Sequence, residues 1–469
     1  MSITASTTVL ECAWLALGGS PELASTVQLT DGPPLPATYH VTALATGVIG
    51  SATLAAAELL AQRTGRPVDA VHVDAAHANV AFGCERHLRS IGWTLPPVWD
   101  PIAGDYRARD TWIRLHTNYA WHRAAALKVL GCEGDKAAVA AAVREWDASA
   151  LEDAVVAANG CAASLRTPGE WAAHPVGAAV AREPLVHVSL SPGESRRLPK
   201  APTAPLSEVR VLDLTRVIAG PIATRLLAGW GADVLRIDPP GFEEVAALLP
   251  ETTAGKRCAA LALETLEGRT RFLALVRDAD VLVLGLRPAA LDALGLSVDV
   301  LKATNPALII VRHNAYGWSD AATTGAPWRE RRGFDSLLQL STGLAAHAMS
   351  RTGAERPVPL PVQALDHATG YLEAAAAIRG LTERERHGNT TEYRLSLART
   401  AHLLESLGGD GDVTAKPPEV NPAHLERVTT AWGPIDRARL PGRIGDRVPV
   451  LVGEAGPLGS HDASWVPRP

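Results

Sequence analysis

The sequence predicts an α/β protein: a doubly wound parallel sheet forming a Rossmann-like large domain, with a second, smaller α+β domain. Two features of residues 209–314 carry this prediction. Apolar runs of strand length alternate with stretches of helical length, and the breaks between them hold Pro and Gly. Strands separated by helices run parallel, because each connection must cross a face of the sheet to return.

The elements follow in order. VRVLDL from Val209 is the first strand, and Gly220-Pro221 opens a helix where the missing proline N–H does no harm. DVLRID from Asp233 is the second strand, stopped by Pro239, Pro240 and Gly241. Residues 257–263 form a third strand and 264–277 a helix. DVLVL from Asp280 is a fourth strand, 288–294 a short helix, and ALIIV from Ala307 a fifth strand. Helices are expected over 333–340 and from about Asp366. A Pro-rich linker at 199–207 separates residues 1–198 from a large domain at 208–405. Residues 406–469, rich in Pro, Gly and charge, read as an extended tail.

At 469 residues the chain exceeds one ordinary core. A hydrophobic share of 47% and a charged share of 20% fit a globular protein, and a net charge of −5 gives no basic footprint for nucleic acid. Five scattered cysteines without C-x-x-C predict reduced thiols and a cytoplasmic setting. No signal-peptide pattern opens the chain. The Ala-rich stretch after Thr46 is interrupted by Glu58, Gln62 and Arg63 before it reaches the roughly 18 residues of a membrane span.

G-x-G-x-x-G, G-x-S-x-G, Walker A and H-E-x-x-H patterns are all absent, which removes support for dinucleotide enzymes, serine hydrolases, NTPases and zincins. No metal cluster is expected among the 15 histidines; His72 and His77 read as packing or surface residues. Trp93, Trp99, Trp112 and Trp121 read as core and hydrogen-bonded edge positions.

An internal repeat stands out. ATGVIGSATLAAAE from Ala45 and ATGYLEAAAAIRGL from Ala368 share a start and a small-residue helix, at a constant separation of 323 residues. One fold unit used twice is the natural reading.

Several blocks resemble the class III CoA-transferase family. They are VLDLTRVIAGP from Val211 with LAGWGADVLRIDPPG from Leu227, GKRCAALAL from Gly255, and ADVLV from Ala279 with RPAALDALG from Arg287. GFDSLLQLSTG from Gly333 and PVQALDHATG from Pro361 complete the set. The resemblance places the family's catalytic aspartate on Asp366. The family's Asn before the RPG turn is replaced by Gly285, and its Gly after Pro288 by Ala289. Residues 1–198 resemble the catalytic-helix block and small domain placed ahead of the sheet, with Ala43 at the position of Asp366.

The resemblance implies CoA transfer between an acyl-CoA and a carboxylic acid acceptor, through covalent aspartyl intermediates. It implies no permanently bound cofactor, CoA acting as the substrate carrier, and an interlocked homodimer. A carboxylate suits the task because it can accept an acyl group and then carry CoA as a thioester. Asp366 is expected to be ionised without special tuning, with helix N-terminal N–H groups or a Gly loop holding the oxyanion. Asp335 is expected to support the nucleophile from beside it. Arg216, beyond the first strand, and Lys256, Arg257, Arg287 and Arg332, in or beside matching blocks, are candidate partners for the CoA phosphates. Related racemases carry His where this chain has Phe334, which cannot exchange a proton; His313 or His367 would have to replace it. An acyl-CoA racemase or isomerase and a non-catalytic CoA-binding subunit are the two rival readings.

Overall fold

The computed structural model describes residues 3–193, 196–321 and 327–467. Its largest sheet has seven strands, numbered along the chain: β1 (His187–Pro192), β2 (Arg210–Leu214), β3 (Asp233–Asp238), β4 (Arg257–Ala260), β5 (Val281–Leu284), β6 (Ile309–Asn314) and β7 (Asn389–Ser396). Their order is β4-β3-β2-β5-β6-β7-β1. Strands β2 to β7 run parallel, and β1 lies antiparallel to β7. The five predicted strands are all present. β5 is buried at every residue, which is why it reads as an unbroken apolar run. The order reverses between β2 and β5, opening a crevice beyond their C-terminal ends.

Four helices position the site: α1 (Val41–Thr64), α2 (Ala219–Gly229), α3 (Asp335–Ser341) and α4 (Ala364–His387). The repeat is structural. α1 and α4 each have 24 residues, with bounds separated by the same 323 positions. The residues before them, His40 and Gln363, share nearly one conformation (φ −78°, ψ 60° and φ −76°, ψ 63°). Gly65 and Gly388 end the helices at φ 68° and 70°, where a side chain would be strained. A Cβ on Gly47 would lie 2.5 Å from Val9 Cβ of helix Ile3–Ala16, and one on Gly370 2.3 Å from the Ala219 carbonyl of α2. Each long helix thus carries a glycine at the same level so that a second helix can cross it. Each is also followed by a strand running into a helix, capped by Asp74 in one copy and Ser396 in the other. A constant separation would put Asp74 opposite Leu397, so the gapless match slips by one residue at this strand end.

α1 and α4 pack on each other. Glu58 of α1 accepts from Arg379 and, at 2.9 Å, from Arg386 of α4. α1 is long and apolar enough to cross a membrane, yet it is buried within the fold and serves as its core helix.

Two boundaries need correction. Residues 1–198 do not stand apart, because β1 completes the large sheet and α1 shares a core with α2 and α4. The tail is not simply extended chain. Leu425–Thr430 and Gly433–Ala438 form a hairpin whose second strand pairs with Arg89–Ser90, and Arg443–Ile444 pairs with the strand Val71–Asp74. The smaller α+β unit is present: strands Gly104–Arg107, Trp112–Leu115 and Ala162–Ser164 pack with three helices around a core of their own.

Candidate active site at the reversal of the sheet

A cavity of about 420 Å³ opens where the strand order reverses. The loop after β2 contributes Arg216 to Ile218, the loop after β5 contributes Gly285 to Arg287, and the end of β6 contributes His313 and Asn314. Gly333, Phe334 and Asp366 join them from the segments around α3 and α4. Tyr119, Trp121 and His122 reach in from the first half of the chain.

Asp366 lies in the first turn of α4 and is 7% exposed. Asp335, at the start of α3, holds that turn: its Oδ2 accepts from the backbone N–H of Leu365 (2.7 Å) and Asp366 (3.1 Å). Its other oxygen accepts from the Gln339 amide. The N–H of Ala364 goes to Val362 and that of His367 to Gln363. The expected oxyanion site at this helix end is therefore already filled, because the donors are used to fix the turn that carries Asp366. Easy ionisation also needs correction. Burial, and then the Asp335, Glu85 and Glu373 carboxylates, push the Asp366 carboxyl well above its ordinary range. Burial pushes Asp335 up to about 6.

Of the predicted cations, Arg216, Arg287 and Arg332 line the cavity. Arg216 pairs with Asp238 at 3.1 Å and lies 4.5 Å over the Phe242 ring. Arg287 and Arg332 have no carboxylate partner among the described residues; burial and then Arg287 pull Arg332 below its usual range. Lys256 and Arg257 are elsewhere. Lys256 is buried and bonds Asp213 and the Pro221 carbonyl, each at 3.0 Å. Arg257 forks onto Asp233. Both serve the sheet and neither lines the cavity.

Arg331 lines the cavity without having been predicted, held by Glu152 and Asp153 of the first half. The aromatic wall was also missed. Tyr119 and Trp121 stack at 4.6 Å, and Trp121 is 45% exposed rather than a core residue; Trp99 is likewise exposed. Phe334 faces the cavity and stacks on His116 at 3.7 Å. His313 lines the cavity and bonds Glu373 at 2.7 Å, while His367 turns away to Glu85 at 3.0 Å. Cys84, Glu85 and His367 bring ligand atoms within 4.8 Å of one another. Glu85 is already bonded to His367, and burial followed by Glu251 holds the Cys84 thiol protonated, so the group reads as a hydrogen-bonded cluster.

Residues 206–415 match the model of CoA-transferase family III. That segment belongs to this family. The CoA-transferase match contains the whole parallel sheet, α2 to α4 and Asp366. Over 218 residues the chain is 32% identical to the probable fatty acyl-CoA transferase Rv3272 of Mycobacterium tuberculosis, covering 44% of this chain and 53% of that one. Over 217 residues it is 31% identical to the acetyl-coenzyme A transferase nodX of Hypoxylon pulicicidum, covering 45% and 35%. A crystal structure of Rv3272 aligns with a TM-score of 0.40 at 31% identity, covering 44% of this chain and 56% of that one. The chain thus spans about half, or less, of the length of these CoA-transferase relatives.

Proposed function

We propose that this chain transfers CoA from an acyl-CoA to a carboxylic acid, with Asp366 as nucleophile. The observation that carries the reading is that Asp366 is the one carboxylate lining the cavity among the described residues, in a wall that also holds four arginines. An Asp366 oxygen attacks the thioester carbon, the oxyanion collapses, the C–S bond breaks, and a mixed anhydride remains. The CoA sulfur then attacks the Asp366 carbonyl carbon, releasing the first carboxylate and leaving an aspartyl-CoA thioester. The acceptor carboxylate takes up CoA by the reverse of these steps. The chemistry needs no metal or redox group. Arg287 and Arg332, cations without carboxylate partners, suit the CoA phosphates or the incoming carboxylate.

A cytoplasmic homodimer is part of the same proposal, as is descent of the first half from a second copy of the family's helix block. The deciding experiment incubates the protein with a panel of acyl-CoAs and traps the adduct with hydroxylamine. Modification at Asp366 is expected, and Asp366→Ala should lose it together with labelled-CoA exchange, by on the order of 10³-fold or more. Deuterium entering the α-carbon without CoA exchange would favour an isomerase instead. No adduct with any acyl-CoA would leave a binding subunit.

A further inference from the structure

We propose that His313, held by Glu373, is a general acid–base catalyst of this site that passes a proton between its Nε2 and the sulfur of CoA. The inference rests on the transferase reading above. Four observations carry it.

The imidazole is fixed at one nitrogen and open at the other. Nδ1 lies 2.7 Å from Glu373 Oε1, while Nε2 has no hydrogen-bond partner among the described residues. Glu373 therefore sets the tautomer and leaves Nε2 as the reacting nitrogen.

The open end of the ring has space made for it. A Cβ on Gly285 would stand 2.8 Å from His313 Cε1 and 3.0 Å from Nε2, and both residues line the cavity. Gly285 is one of the two departures from the family pattern, and the ring of His313 needs it.

Glu373 follows Asp366 by seven residues, close to two helical turns, so both carboxyls project from one face of α4.

The first copy has lost the whole set. Ala43 stands at the position of Asp366 and Gly50 at that of Glu373. The strand beside it, Gln28–Thr30, pairs in parallel as β6 does with β7, and its three residues are not titratable. A buried His–Glu pair kept only for packing would have served either copy equally, and such pairs rarely stabilise a fold by themselves.

The chemistry balances. A thiol titrates near 8.5 in water, so giving the departing CoA sulfur a proton makes it a better leaving group at neutral pH. As the C–S bond breaks, the Nε2–H of the imidazolium gives its proton to sulfur. The neutral imidazole takes it back when the thiol attacks the acylated Asp366, and Glu373 accepts from Nδ1–H throughout. Burial alone would lower the basicity of His313; the Glu373 carboxylate, with Asp213 adding to it, reverses that, so the ring holds its proton more firmly than an ordinary histidine.

The test uses the full chain with His313→Gln, Glu373→Gln and Asp366→Ala, assayed across pH for labelled-CoA exchange with acetyl-CoA and succinyl-CoA. His313→Gln should lower kcat by on the order of 10²-fold with KM little changed, and should erase one limb of the pH profile. Glu373→Gln should move that limb to lower pH. The wild-type enzyme should show a normal solvent isotope effect on the acyl-transfer step, a readout that needs no variant to fold. An unchanged rate and profile in His313→Gln, or no isotope effect in the wild type, overturns the role of His313 while leaving Asp366 in place. Loss of α-deuterium incorporation with CoA exchange intact also overturns it, since the proton then goes to carbon. No effect of Asp366→Ala sinks the transferase reading and this inference together.

Discussion

α1 and α4 are the same helix put to two uses. They share length, entry conformation, C-terminal glycine and crossing glycine. What differs is one face. α4 carries Asp366 and Glu373 where α1 carries Ala43 and Gly50, although both helices are buried along almost all of their length. Scaffold and proposed chemistry are therefore separable in this unit: the caps and the crossing glycine make the helix, and two positions a heptad apart carry the proposed site. α1 is tied to α4 through Glu58, whose carboxylate meets Arg379 and Arg386.

Breaking that tie should have the largest effect on the fold. Glu58→Ala leaves the Arg379 guanidinium, 2% exposed, with only Glu383 and two carbonyls. A loss of about 3–5 kcal/mol is expected, read as a lower urea midpoint with an unchanged slope. A loss below about 1 kcal/mol would mean that the helices are held by apolar contact alone.

The paired glycines sharpen the comparison. Gly370→Ala drives a methyl against the Ala219 carbonyl, which cannot turn aside, and Gly47→Ala drives one against Val9 and the Ser6 carbonyl. Each should cost about 1–3 kcal/mol in thermal or urea unfolding. Only Gly370→Ala should also lower kcat, because only its helix carries the proposed nucleophile. Equal losses of kcat would contradict the division of labour.

Asp335→Asn keeps an oxygen to accept from Leu365 and Asp366 but removes the neighbouring charge. The pKa of Asp366 should fall, moving the acid limb of kcat/KM to lower pH. Stability shifts as well. With the Asp335 carboxyl raised from 3.8 to about 6, the folded state holds a proton that the unfolded chain has released between those values. That contribution is full below about pH 4 and is lost as pH rises through about 6; Asp335→Asn should flatten this part of the stability curve. Because the two acids titrate as a pair, the limb reports both. The smallest effect on the fold is expected from Trp121→Ala, within about 0.5 kcal/mol, since the ring is half exposed. KM for acyl-CoA should rise about fivefold, the equivalent of about 1 kcal/mol of ring contact, with kcat unchanged.

The parallel strands were legible because burial on both faces writes them as apolar runs between Pro and Gly. β1 and β7 were not. Every second residue of β1 is exposed, and β7 (NTTEYRLS) is polar at alternate positions, so neither forms an apolar run. The hairpin at 425–438 is masked by its charges, which pair across its surface, as Arg427 does with Asp436. The place of Asp366 beside the cavity was legible from its block. Lys256 and Arg257 were misplaced because nearness to a matching block does not say which way a side chain leaves the strand. Tyr119 and Trp121 lie far from Asp366 in the chain, and only folding brings them to one cavity. Gly285 was legible as a departure but not as a reason, since the ring it makes room for belongs to another strand.

β1 has one more consequence. It caps the outer side of β7, while at the opposite border of the sheet His461 bridges to Ala259 and Arg257 reaches the Ser464 carbonyl. Both flanks are thus closed by chain from outside residues 206–415. Cut away those coverings and the CoA-transferase segment would present two rows of unpaired N–H and C=O groups, an open template for strands of other molecules. The part that carries the family's signature depends on its two flanking segments to keep those borders covered.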